Sequence, residues 1–263
     1  FSNFMLSLSI NSFLDNIVDK KVQLMISKDL FEQTCKVDIS NIDGIKKNPI
    51  WAKTILKSYA RNVCTTADTN TIYNYVISTC DMSKPTFYSY ISALEDLYII
   101  EDVEAWCPSI RSKTVIRASK KKNLVDPSIA VAALGISPEY FDNDYKTMGF
   151  LFESLVIRDL NIYSSEHGGN VSYYRDRYGL EADAVLHLED GRYALIEIKL
   201  GQHDIEEGAK HLCEIERLIK EHNEKEKQVP LRLPDLKIVI TGTEYGYKRD
   251  DGVLVIPIGC LKD

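Results

Sequence analysis

Tyr174–Lys199, YRDRYGLEADAVLHLEDGRYALIEIK, reads as two β-strands joined by a tight turn at Glu189-Asp190-Gly191. A three-residue hairpin loop of this composition is a type I turn closed by a glycine in the left-handed region. With that loop, Leu188 pairs with Arg192 and, counting back, Asp183 lies across from Glu197. Directly opposed residues share a face, with side chains roughly 5 Å apart. Residues two apart on a strand share it too, so Lys199 joins them. Leu195, Ile196 and Ile198 between them are apolar, which suits a strand buried on both faces. Two carboxylates and an ammonium are thereby expected to converge on one side of a buried strand.

Two hard oxygen donors at this separation suit Mg²⁺ or Mn²⁺, which keeps several of its waters. Such an ion polarises a phosphoryl oxygen and acidifies a bound water. A neighbouring lysine positions that water or neutralises charge building on the phosphate. The plainer reading of the same residues is a salt-bridged pair on an exposed sheet face. The apolar character of the strand carrying Glu197 and Lys199 speaks against a solvated face.

The string resembles the core of the PD-(D/E)xK nuclease superfamily. More narrowly, it is similar to the C-terminal nuclease-like domain of bacterial and archaeal AAA+-type ATPases. That pattern is an aromatic pair, Arg-Asp, a glycine, Glu-x-Asp and a strand ending Glu-x-Lys. Here these are Tyr173, Tyr174, Arg175, Asp176, Gly179, Glu181, Asp183, Glu197 and Lys199. Ala182 and Ala184 stand where the family usually has Val and Phe, a departure in packing and not in ligands. The resemblance implies a restriction-endonuclease-like fold with Asp183 and Glu197 binding Mg²⁺ or Mn²⁺ and Lys199 assisting catalysis. It also implies a supporting glutamate from the preceding helix, matched by Glu153 in GFLFESLVIRDL. DNA is the implied substrate. A nucleotide-binding half would lie upstream as a partner domain, so that ATP enters only through it. G-x-x-x-x-G-K-[ST] does not occur in this sequence, so ATP binding by that motif is not expected here.

The 263 residues suffice for two compact domains. Residues 1–148 hold 17 basic and 17 acidic side chains. The other 15 basic and 22 acidic side chains give residues 149–263 the whole net charge of −7. An acidic domain is a poor nucleic-acid binder by bulk electrostatics, so a DNA-cutting role needs a local basic patch or a bound cation. No apolar run approaches a membrane span and no signal peptide is visible, which leads to the expectation of a cytoplasmic protein; the resemblance to bacterial and archaeal ATPases implies a prokaryotic one. Phe1 in place of an initiator Met suggests a processed product or a fragment. Cys35, Cys64, Cys80, Cys107, Cys213 and Cys260 lack C-x-x-C spacing and read as reduced, buried thiols. The five histidines show no metal-ligand spacing.

Three domains are expected. Residues 1–64 form a helical segment like an ATPase lid or linker, with Asn48-Pro49 opening a helix. Residues 65–136 read as a winged helix. Thr69 or Asp68 caps its first helix and Ser83 its second, and Tyr98–Ile100 and Val103–Trp106 supply wing strands. The outer face of the second helix, with Lys84, Thr86, Tyr88, Ser89 and Ser92, either reads DNA or merely faces solvent while the unit acts as a packing spacer. Arg111, Lys113, Arg117, Lys120, Lys121 and Lys122 form the most basic stretch. It is a solvated face or a phosphate-contacting patch, Lys120–Lys122 being the candidates for DNA contact together with Lys84. Asp126-Pro127 starts a helix that ends at Gly135.

Residues 137–263 are the nuclease-like domain. A long helix runs over about 147–165, with Glu153 either a third acid at the metal or a partly exposed surface residue. Then come a strand at 171–174, the hairpin, a crossover helix from Asp204 to about Glu224, and strands at 236–241 and 253–256. Gln202 and His203 are placed to line the site. The fold class is α/β (α+β): helical and winged-helix parts, then a mixed sheet flanked by helices. A catalytically silent nuclease-fold module used for protein or DNA binding is the alternative function.

Overall fold

The computed structural model describes residues 20–42, 44–108, 119–225 and 230–261. The chain is mixed α/β, with helices toward the N-terminus and one six-stranded mixed sheet. It divides into two compact units: residues up to Asp102 with Lys120–Leu155, and Val103–Ser119 with Val156–Asp263.

The first unit is helical. Helix α1 (Lys20–Gln33) runs through a π-helical turn, Thr34–Asp38, into a last turn at Ile39–Asn41. Helix α2 (Pro49–Arg61) begins where Asn48 accepts a hydrogen bond from the Ile50 amide at 2.9 Å, and the following proline suits a first turn. Its buried face, Ala52, Ile55, Leu56 and Tyr59, keeps the 3.6-residue period. Asp68, not Thr69, caps α3 (Thr69–Ile77) by accepting from the Thr71 amide at 2.9 Å. Ser83 caps α4 (Lys84–Asp96), which buries Phe87, Tyr90, Ile91 and Leu94. The expected outer face of α4 is exposed at Lys84, Tyr88, Ser89 and Ser92, and Lys84 lies 5.8 Å over the Tyr73 ring. Of the segments read as wing strands, Ile100 makes a single antiparallel bridge to Leu124. Helix α5 (Pro127–Leu134) is capped by Asp126 and closed by Gly135, whose φ of +68° is the left-handed conformation a helix C-terminus asks of glycine.

The second unit is built on a sheet of order β1-β2-β3-β4-β6-β5. The strands are β1 (Asn170–Arg175), β2 (Glu181–His187), β3 (Tyr193–Lys199), β4 (Leu236–Thr241), β5 (Tyr247–Lys248) and β6 (Leu254–Pro257). Strands β1, β2 and β3 pair antiparallel, β3–β4 and β4–β6 parallel. Helix α6 (Tyr145–Ser165) precedes the sheet and α7 (Ile205–Lys225) makes the crossover from β3 to β4. The apolar stripe of α7, Ile205, Ala209, Leu212, Ile215 and Ile219, packs with Leu195, Val239 and Val255 into one cluster. Along the free side of β1, the Tyr173 amide donates to Glu104 and the Trp106 amide to Tyr173, so Glu104–Trp106 extends the sheet. The two-residue β5, absent from the sequence reading, ends the other side by pairing with β6.

The cysteines depart from the expectation of uniform burial. Cys35 and Cys64 are buried, Cys80, Cys107 and Cys213 are half-buried, and Cys260 is exposed; no disulfide joins described residues. Arg111, Lys113 and Arg117 lie outside the described residues.

Candidate functional site: two carboxylates and a lysine beneath a helix

The hairpin that carries the candidate residues closes at Gly191 (φ +86°), whose amide donates to the Leu188 carbonyl, and the Leu188 amide donates to Arg192. The ladder continues His187 with Tyr193, Leu186 with Ala194, Val185 with Leu195 and Ala184 with Ile196. One step further, where Asp183 would meet Glu197, a side chain takes over. The Asp183 carboxylate accepts a hydrogen bond from the Ile198 amide at 2.8 Å. Asp183 thus holds the end of β3 and is itself oriented by it.

Glu197 shares the face of Leu195 and is 1 % exposed. Lys199 places its Nζ 2.7 Å from Glu197 Oε2, and His211 of α7 places its Nδ1 3.4 Å from Oε1. Neither Glu197 oxygen receives an aligned hydrogen bond, and His211 Nδ1 also lacks an aligned partner. Burial, then the charge of Asp183, pushes the Glu197 carboxyl up to about 8, against the opposing pull of Lys199. Burial works to lower the Lys199 ammonium, but the charges of Glu197 and Asp183 outweigh it and the net shift is upward. Like charges in a desolvated place produce this pattern, and it is frequent at functional sites.

Helix α7 comes close enough to roof the site because residue 208 is glycine. A Cβ there would stand 3.2 Å from both Glu197 Cβ and Lys199 Cε. His211, one turn on, points to the same face. The sequence held one sign of this: Gly208 and His211 fall within the helix's apolar stripe. Gln202 and His203 form an exposed 3-10 turn before α7.

The rest of the motif builds the turn ahead of the site. The Asp176 carboxylate accepts from the amides of Tyr178 (2.8 Å) and Leu180 (2.9 Å), and Gly179 adopts φ +90°. Arg175 pairs across the strands with Glu181.

The other candidates have structural occupations. Glu153 belongs to the first unit, where it is buried and accepts from Lys121 Nζ at 2.5 Å. Lys122, also buried, donates to Asp102 at 2.5 Å and lies 5.5 Å over the Tyr59 ring. Both ammonium groups are committed to carboxylates inside the protein, which removes them as phosphate contacts in this conformation. Lys120 and Lys84 are exposed. A cleft of about 850 Å³ opens at the turn end of the hairpin, lined by Leu160, His167, Leu188, Arg192 and Cys260 among others. Asp183, Glu197 and Lys199 do not line it.

Two family models match the chain. Residues 12–140 match a domain of unknown function, DUF8612. Residues 148–261 match another, DUF4143. The second is a domain found in AAA-ATPase-associated proteins. No curated protein and no solved structure matches the chain. Among the described residues no helix is long and apolar enough to cross a membrane. No group of three or more His, Cys, Asp or Glu among them is arranged to hold a metal ion.

Proposed function

We propose that the chain is the C-terminal part of an AAA+-type ATP-binding protein, and that its sheet unit is a PD-(D/E)xK-like module hydrolysing DNA phosphodiesters with Mg²⁺ or Mn²⁺. The observation that carries this reading is Glu197: a buried carboxylate set beside Asp183, with Lys199 at one oxygen and no aligned donor at the other. An arrangement of like charges that costs stability is what a cation would relieve.

The donor set fits such an ion. Asp183 and Glu197 are hard oxygen donors, and Mg²⁺ is commonly held by one or two carboxylates with waters and substrate phosphate completing the shell. The ion would supply Lewis-acid polarisation of a phosphoryl oxygen and a more acidic water. Lys199, charged and still partly exposed, is placed to orient a water or to offset negative charge on the phosphate. Glu153 has no part in this proposal, since its pairing with Lys121 gives it a packing role.

The second reading, a silent module that binds protein or DNA, is favoured by the depth of Glu197 under α7 and by the −7 charge on residues 149–263. Mn²⁺ titration with a thermal readout separates the two. A site that binds the ion gains about 2.7 kcal/mol at a hundredfold excess over Kd. That stabilisation is expected in the native chain and not in Asp183→Ala, together with Mn²⁺-dependent nicking of plasmid DNA. No stabilisation by Mn²⁺, and intact plasmid even with the ATPase half attached, would establish the silent module.

A further inference from the structure

We infer that His211 is a positioning residue of this site, holding the Glu197 carboxylate in the orientation that a divalent cation needs. The inference rests on the metal-site reading above and deepens it.

Three observations meet at this side chain. Its Nδ1 lies 3.4 Å from Glu197 Oε1, the oxygen turned away from Lys199, whose Nζ sits at Oε2. Nδ1 and Oε1 are both buried atoms with no aligned partner, so a small rotation of the ring satisfies two orphaned groups at once. The helix bearing His211 is held against exactly those two side chains by the absence of a Cβ at Gly208. The group facing His211 is therefore Glu197 from β3, whose other oxygen meets Lys199, while Glu207 and Lys210 are its charged neighbours in sequence on α7.

A buried carboxylate with one oxygen held by Lys199 and the other unconstrained can rotate about its last torsion, which is broad for Glu. An N–H at Oε1 fixes that plane. Outer partners of this kind orient metal ligands, and their loss typically costs about 10- to 100-fold in metal affinity. His211 reaches no further than Glu197 in this arrangement, so it acts through that residue and not on substrate.

The test uses the full 263-residue chain and Mn²⁺ alone, with free ion read by electron paramagnetic resonance. His211→Ala is expected to weaken Mn²⁺ binding by about tenfold or more. His211→Asn is expected to recover most of the loss, because its Nδ2 stands near the place of the imidazole Nδ1 and carries an N–H. His211 is partly exposed, and an unchanged unfolding midpoint in EDTA checks that both variants fold. Equal Mn²⁺ affinity in His211→Ala and the native chain overturns the inference while leaving the metal site standing. So does an Asn variant as weak as the Ala variant. A native chain that does not bind Mn²⁺ overturns both the metal site and this role.

Discussion

A glutamate carboxyl raised to about 8 ties the fold to pH through one proton. In the unfolded chain Glu197 titrates near its ordinary 4.5. Between these values the folded state holds a proton that the unfolded state has released, so stability falls as pH rises through this window. The contribution is fully present below about 4.5 and is lost as pH passes about 8. Urea midpoints measured in EDTA from pH 5 to pH 8.5 are expected to fall more steeply for the native chain than for Glu197→Gln, which has no proton to lose. Asp183→Asn is expected to stabilise the metal-free chain above about pH 8, where Glu197 is ionised in the folded protein, by on the order of 1 kcal/mol for each pKa unit it relieves on Glu197. Its amide oxygen still accepts from Ile198. The same substitution abolishes Mn²⁺ stabilisation, which distinguishes a functional cluster from a packing one. The buried pair of the first unit behaves in the opposite way. Lys121→Met is expected to cost about 3–5 kcal/mol, because it removes the ammonium paired with the buried Glu153 carboxylate, and Glu153→Leu added to it is expected to restore much of the loss. Urea denaturation of the single and double variants gives the comparison.

At the scale of elements, the hairpin was legible because its cues are local. Gly191 fixes the turn, and the period of two carries the register from Leu188–Arg192 back to Ala184–Ile196. Helix starts at Asn48, Asp68, Ser83 and Asp126 were legible for the same reason, each cap lying within three residues of the amide it serves. The bond from Ile198 to Asp183 was not, because it replaces a ladder step that the alternating pattern would have continued. Nor was the fate of Lys121 and Lys122. A run of lysines reads as solvated, and their carboxylate partners lie 32 and 20 residues away. The role of His211 was not legible either, because the face a helix turns to a sheet depends on where it can approach most closely, here at Gly208. That approach is testable. Gly208→Val drives branched carbons into Glu197 and Lys199 and is expected to cost about 1–3 kcal/mol of stability by overpacking. Chemical denaturation checks the value, and Mn²⁺ affinity is expected to fall with it.

For the molecule as a whole, charge sets the terms of any encounter with DNA. The −7 lies in residues 149–263, the stretch that contains the sheet, and two of the lysines in the most basic stretch are buried against carboxylates. Binding of duplex DNA in EDTA at 150 mM salt is therefore expected to be no tighter than non-specific values, about 10⁻⁴–10⁻⁶ M. Fluorescence anisotropy measures it, and a nanomolar Kd without metal would refute the electrostatic argument. The sheet's margins have a consequence of another kind. Glu104–Trp106 occupies the outer side of β1, and β5 is only two residues long. A sheet whose outermost paired segments are short on both sides offers little template on which a foreign strand could grow. The native chain is thus protected from fibril-like self-association at concentrations where a flat, open-edged sheet of the same composition would assemble.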